Sequence, residues 1–251
     1  MYRSIKNVAK QVVRKLAPLT SPNFLFHNQF QYARKWAFTY PNGPVEGHYS
    51  QFGQDKFVAT LLGHKHGGIF LDIGAHDGVS YSNSCFFERE LGWYGICVEP
   101  HPDAFKRLEN NRACTCVNAA VGISDRKAQF LQVVGQGEML SGLVDSHADL
   151  QGAQQYAEHH GSEIHIIEID CRTVHDILDA NNVKALNYLS LDIEGGELEI
   201  LKTIDLVALS VDILSVENNY SDNRIELYLY EHNYELTSIL GSDEIYKRRS
   251  A

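Results

Sequence analysis

Three short stretches, each following an apolar run, carry the chemistry that is easiest to read. The first is Asp72-Ile73-Gly74-Ala75-His76-Asp77-Gly78, which follows the apolar run Ile69–Ile73. Gly74 and Gly78 let a backbone turn sharply and approach a ligand closely, and Asp72 adds a carboxylate suited to a cationic amino group. The second is Val98-Glu99-Pro100, where a carboxylate at a strand end can accept hydrogen bonds from both hydroxyls of a ribose. The third is Asn118-Ala119-Ala120, whose amide and small side chains could receive an adenine edge. A dinucleotide needs the spacing G-x-G-x-x-G, which Ala75-His76 breaks, and its pyrophosphate would meet Asp72 and Asp77 as repulsive neighbours. The set fits a zwitterionic nucleoside better than a dinucleotide.

A second group lies further along. Leu186–Leu191 delivers Asp192 with Glu194 close behind, and Val211–Val216 delivers Glu217-Asn218. Asp192, Glu217 and Asn218 could converge as hard oxygen ligands for Mg²⁺ or another divalent cation, which would lower the pKa of a bound hydroxyl. The plainer alternative is that Asp192 orients an amino group and Glu217 bonds acceptor hydroxyls without a metal. Among twelve histidines, His48 and His147 are the better candidates for a general base, because His76 and His101 sit in the ligand loops.

The elements that must position these residues alternate. Apolar runs at Ile69–Ile73, Tyr94–Val98, Cys114–Asn118, Ala128–Val134, Ile164–Ile169, Leu186–Leu191 and Val211–Val216 read as strands. Helices are predicted over 51–62, 84–91, 102–111, 173–181, 194–204 and 222–232, and a closing strand pair over 234–240 and 244–247. Strands separated by helices imply right-handed crossovers and a doubly wound, mostly parallel α/β sheet. Ligands of such sheets collect at the carboxyl ends of the strands.

Charge divides the chain in two. The net charge is −10, yet residues 1–47 hold seven basic side chains (Arg3, Lys6, Lys10, Arg14, Lys15, Arg34, Lys35) against the single acid Glu46. Ser4 to Leu16 aligns Ile5, Val8, Val12 and Leu16 on one stripe, so it reads as a basic amphipathic helix. Such a helical extension would pack on the body or a second copy in a homodimer, or make peripheral membrane contact through residues 1–20. The acidic body argues against nucleic acid as a partner. No run is long enough to span a bilayer, and the N-terminus does not read as a secretory signal. The five cysteines are odd in number and set among apolar neighbours, which points to a reducing, cytoplasmic compartment and no structural metal.

Taken together, Phe70–Gly78, Gly95–Pro100, Val117–Val121 and Leu189–Glu197 resemble the FkbM family of O-methyltransferases. Tyr49–Asp55, Tyr81-Ser82-Asn83-Ser84 and Ser141-Gly142-Leu143 match the same pattern, so the resemblance spans about residues 48–247. It implies a class I methyltransferase domain over residues 48–251: a Rossmann-like, mostly parallel, seven-stranded sheet. It also implies S-adenosyl-L-methionine held by Gln54, Asp72, Gly74, Ala75, His76, Asp77, Gly78, Ser82, Asn83, Glu99, Pro100, Asn118, Ala119 and Asp192. Transfer would be to a hydroxyl on a glycan or another small hydroxylated acceptor, with Asp192, Glu217, His48 and His147 as the catalytic candidates. Two other readings remain: an NAD-dependent oxidoreductase, disfavoured by the broken glycine pattern, and a catalytically silent nucleoside-binding module.

Overall fold

A computed structural model describes residues 45–220 and 222–250. The helix expected over Ser4–Leu16 and most of the extension expected over residues 1–47 lie outside the described residues. Among those described, no helix is long and apolar enough to cross a membrane.

The main sheet has seven strands. In chain order they are β1 (Ile69–Ile73), β2 (Tyr94–Val98), β3 (Thr115–Val117), β8 (Tyr188–Leu191), β9 (Ile213–Glu217), β10 (Tyr234–Leu240) and β11 (Asp243–Arg248), β4 to β7 lying elsewhere. Across the sheet they run β10-β11-β9-β8-β1-β2-β3. All the pairings among β3, β2, β1, β8 and β9 are parallel, while β11 runs antiparallel to both β9 and β10. Strand order reverses between β1 and β8, the place where such sheets open a crevice for a ligand.

Strand alternation supplies two cores. Leu71, Ile73, Ile96, Val98, Leu189, Leu191, Leu214 and Val216 face one side. There they meet α5 (Val174–Ala180), α6 (Glu197–Leu201) and α7 (Arg224–Glu231) through Ile177, Ile200 and Leu229. Phe70, Cys97, Tyr188, Ile213 and Ile245 face the other side. They pack on α1 (Gln54–Leu61), α2 (Cys85–Leu91) and α3 (Pro102–Asn111) through Val58, Phe87 and Leu108. Both faces are covered, which is why the central strands are mostly apolar.

Two predicted strands belong elsewhere. Ala128–Val134 and Ile164–Ile169 lie within β5 (Arg126–Val134) and β7 (Glu163–Arg172), which pair antiparallel in a separate four-stranded sheet. Its order is β4-β7-β5-β6, with β4 at Ala120–Val121 and β6 at Gly142–Leu143. The polar–apolar alternation of β7 already differs from the solid runs of the main sheet and suits a face open to water. Helix α4 (Leu150–His159) was not foreseen, because glutamines and a glycine dilute its small buried set, Ala153 and Ala157. Asp149 caps it by accepting from Gly152 N at 2.9 Å. The helix expected over 194–204 shrinks to α6, since Glu194, Gly195 and Gly196 all have positive φ.

Candidate active site

A cavity of about 280 Å³ opens at the carboxyl ends of β1, β2, β8 and β9, between the main sheet and the small one. Gly74 forms its floor. It has φ +87°, and a Cβ there would lie 1.7 Å from the carbonyl oxygen of Asp192. Gly74 N and Ala75 N donate to Val98 O at 2.9 and 3.1 Å, while Asp192 N donates to Ile73 O at 3.0 Å. These bonds, with the close approach that only a glycine at 74 allows, hold the ends of β1, β2 and β8 together.

Asp72 is buried and accepts a short hydrogen bond from Ser84 Oγ. Arg112 donates to Ser84 Oγ, Ser82 Oγ and Gly78 O, and pairs with Glu88 at 2.7 Å. Burial pushes the Asp72 carboxyl up, opposed by Ser84 and Arg112. This network fastens the loop from beneath. Asp77 and Gly78, predicted as donor contacts, do not line the cavity. Asp77 accepts from Val79 N and from Ser80 N and Oγ, and these bonds hold its carboxyl below the usual range despite partial burial. Gly78, with φ +79°, has space only for hydrogen against Leu108 and Arg112.

Glu99 closes the next strand end. Its two carboxylate oxygens accept from His76 N and His101 N, each at 2.7 Å. Burial raises its carboxyl to about 7, although both backbone donors oppose that rise. His76 reaches the other way, its Nε2 lying 2.8 Å from Glu138 Oε1, and Arg107 pairs with the same oxygen. Glu138 begins a 3-10 turn, Glu138–Leu140, that brings Met139 and Leu140 onto the cavity wall. Pro100, Ala119, Val121 and Phe130 complete an apolar slot there. Asn118 is not part of it. Its amide is spent on Glu99 O and Pro100 O and its side chain is exposed, so small apolar side chains face the position expected of an adenine-reading amide.

The opposite half is acidic. Carboxylate oxygens of Asp192, Glu194 and Glu217 lie within 4.8 Å of one another. Burial raises all three, and mutual repulsion adds to it: Glu194 and Glu217 rise to about 8, and Asp192 rises well above its ordinary range. Glu217 accepts from Asn219 Nδ2 at 2.6 Å and Ser242 Oγ at 3.3 Å. Asn218, foreseen as a ligand, turns away: its amide donates to Asp222 O and Glu244 Oε1, behind the strand. Glu194 takes its place. Asp243, at the start of β11, was not foreseen at all; it lines the same cavity and accepts from Gln54 Nε2 at 2.6 Å.

Neither base candidate reaches this centre. His48 stacks on Phe86 at 4.3 Å and lies 3.4 Å from Asp55, away from the cavity lining. His147 Nε2 meets Leu140 O at 2.9 Å and its Nδ1 accepts from Asp149 N at 3.2 Å, so both ring nitrogens are engaged. His101 is likewise occupied, capping α3 through Nδ1 and meeting Val133 O through Nε2. Asp192, Glu194 and Glu217 line the cavity itself and offer carboxylate oxygens there.

The family model described as the methyltransferase FkbM domain matches residues 72–236. Among solved structures, the methyltransferase FkbM from Methylobacillus flagellatus KT superposes with a TM-score of 0.54 at 14% identity. That match covers 94% of this chain but 58% of the other, so the chain spans little more than half of that protein's length. The METTL16 MTase domain matches with TM-score 0.48 and 14% identity, covering 92% of this chain and 84% of that one. The precorrin-6y C5,15-methyltransferase from Geobacter metallireducens GS-15 matches with TM-score 0.45 and 12% identity, covering 84% and 100%. A sequence search of curated proteins finds no match. On the extent of the family match, the chain belongs to the FkbM-domain methyltransferases.

Proposed function

We propose that this protein transfers the methyl group of S-adenosyl-L-methionine to a hydroxyl oxygen on a sugar, a glycan or another hydroxylated metabolite. The observation that carries this reading is the meeting of Asp192, Glu194 and Glu217 directly beside the Gly74–Glu99 half of the cavity. In that half, Glu99 suits the ribose hydroxyls and the slot of Ala119, Val121, Phe130 and Met139 suits a flat base.

The chemistry requires alignment and one proton acceptor. A lone pair of the acceptor oxygen attacks the methyl carbon, the carbon–sulfur bond breaks, and its electron pair stays on the sulfur. The hydroxyl proton passes to a carboxylate of the acidic group. Only the ionised form of this group accepts that proton, and once ionised a carboxylate raised by burial and mutual repulsion is a stronger base than an ordinary one. Among the described residues no lysine or arginine lines the cavity, which favours an acceptor without phosphate over a nucleic acid.

A divalent cation such as Mg²⁺ fits the same oxygens, because three carboxylates within 4.8 Å offer the hard donors it prefers. Asp192, Glu194 and Glu217 would hold it, and it would lower the pKa of the acceptor hydroxyl. The test is incubation with methyl-labelled donor and a panel of monosaccharides, glycolipids and cell extracts, followed by mass analysis of the product. A methyl ether is expected; labelling only on nitrogen or carbon defeats the proposal. Full activity after exhaustive chelation removes the cation from it.

A further inference from the structure

We propose that Asp243, with Gln54 and Asn83, forms the binding site for the protonated amino group of the donor's aminoacyl tail. The inference rests on S-adenosyl-L-methionine being the donor. Before the structure, the acid at the first strand end was the natural choice for this ammonium. The geometry assigns Asp72 to other work, since it is bound to Ser84 and faces the buried Arg112 network.

Asp243 occupies the vacated role. It is buried, lines the cavity and sits opposite Glu217 in the β9–β11 register. Because β11 runs antiparallel, its first residue lies at the same edge as the last residues of β1, β8 and β9. Gln54 Nε2 donates to Asp243 Oδ2 at 2.6 Å, and Gln54 Oε1 is itself fixed by Phe52 N at 2.8 Å. The carboxylate is therefore oriented from the α1 side.

Asn83 supplies a second, independent sign of a ligand. It is 8% exposed and lines the cavity, and its Oδ1 is buried with no hydrogen-bond partner among the described residues. Its Nδ2 donates to Ser190 Oγ at 3.1 Å. An orphaned buried carbonyl is costly unless something donates to it. Among the described residues the lining offers no lysine or arginine to do so. An ammonium placed between Asp243 and Asn83 Oδ1 satisfies both. Burial lifts the Asp243 carboxyl to about 6 while the Gln54 and Asn83 amides favour its charged form, so it remains an anion at neutral pH.

The test compares two nucleosides by titration calorimetry on the full chain. S-adenosylhomocysteine carries the aminoacyl tail and methylthioadenosine lacks it. Asp243→Asn should weaken S-adenosylhomocysteine about 10- to 100-fold, the usual effect of losing a hydrogen bond to a charged group. Methylthioadenosine should bind the variant as it binds the wild type. Asn83→Ala should show the same selectivity with a smaller loss, which keeps the proposal testable if Asp243→Asn folds poorly. Unchanged S-adenosylhomocysteine affinity in both variants overturns the inference, as does an equal loss for both nucleosides in a variant that melts like the wild type. Wild-type protein that binds neither nucleoside overturns the donor assignment itself, and the inference with it.

Discussion

The α-carbon of Gly74 stands so close to Asp192 that a Cβ on Gly74 would fall 1.7 Å from the Asp192 carbonyl oxygen. The two residues follow neighbouring parallel strands, and each belongs to a different half of the cavity. Gly74 turns the Asp72–Gly78 loop, whereas Asp192 begins the acidic group, and their contact sets the spacing between the two halves.

Gly74→Ala therefore attacks both halves together. The left-handed φ alone costs an alanine about 1 kcal/mol, and the collision is with backbone, which cannot rotate away. A loss of about 3 kcal/mol or more in denaturant unfolding is expected, with S-adenosylhomocysteine binding lost by calorimetry. Wild-type affinity in this variant would contradict the geometry.

Stability should fall as pH rises. Glu194 and Glu217 hold their protons in the folded chain up to about pH 8, against 4.5 for an ordinary glutamate. Between those values the folded state binds more protons than the unfolded one, so raising pH favours unfolding. Thermal melts at pH 5, 7 and 9 should show Tm declining across the series. Glu217→Gln, which removes one buried ionisation, should decline less and melt above the wild type at pH 9. Parallel slopes for the two proteins would refute the coupling.

The Asp72–Gly78 turn and the strand-end position of Glu99 were legible in sequence because their demands are local. A backbone that turns under a ligand needs glycine at a fixed place, and a strand end needs its acid in the next position. The main sheet was legible for a similar reason, as strands buried on both faces are mostly apolar. Asp243 was hidden by strand direction. The rule that ligands gather at carboxyl ends points away from the first residue of an antiparallel strand, and nothing local to residues 234–248 reveals which way β11 runs. Glu138 was hidden differently, inside an aperiodic segment whose position depends on the small sheet. Asn118 and Asn218 illustrate the converse: each has a suitable side chain beside a strand end, yet each amide is taken by nearby acceptors.

Asp192→Asn separates chemistry from donor binding. The change keeps the shape of the side chain and relieves repulsion with Glu217. S-adenosylhomocysteine affinity should stay within about threefold, while the single-turnover methyl-transfer rate drops roughly 10²- to 10⁴-fold, the range for losing a general base. A drop in affinity that matches the drop in rate would place Asp192 in donor binding instead.

The His76–Glu138–Arg107 contacts tie the donor loop to the 3-10 turn across the slot. Glu138→Ala releases both partners and leaves His76, at φ +50°, without its anchor. S-adenosylhomocysteine affinity should fall about 10-fold. Amide exchange over residues 135–143 should accelerate, because Met139 and Leu140 would lose their seat on the cavity wall. Arg107→Ala, removing the more exposed partner, should have the smaller effect. Unchanged exchange in Glu138→Ala would show that the turn is held by its own bonds.

His147 gives the sharpest distinction between a brace and a base. Its Nδ1 accepts from Asp149 N, so the proton of the neutral ring is on Nε2, where it donates to Leu140 O. Its ring also packs on Gly142, where a Cβ would come within 2.9 Å of His147 Cδ2 and 3.4 Å of Glu194 Cβ. His147→Ala should lower stability by about 1–3 kcal/mol through these losses. Measured well below its melting temperature, the variant should keep the wild-type shape of the pH–rate profile, because the proton acceptors remain in place. Loss of one limb of that profile would instead make His147 the base and demand that its ring leave Leu140 O during turnover.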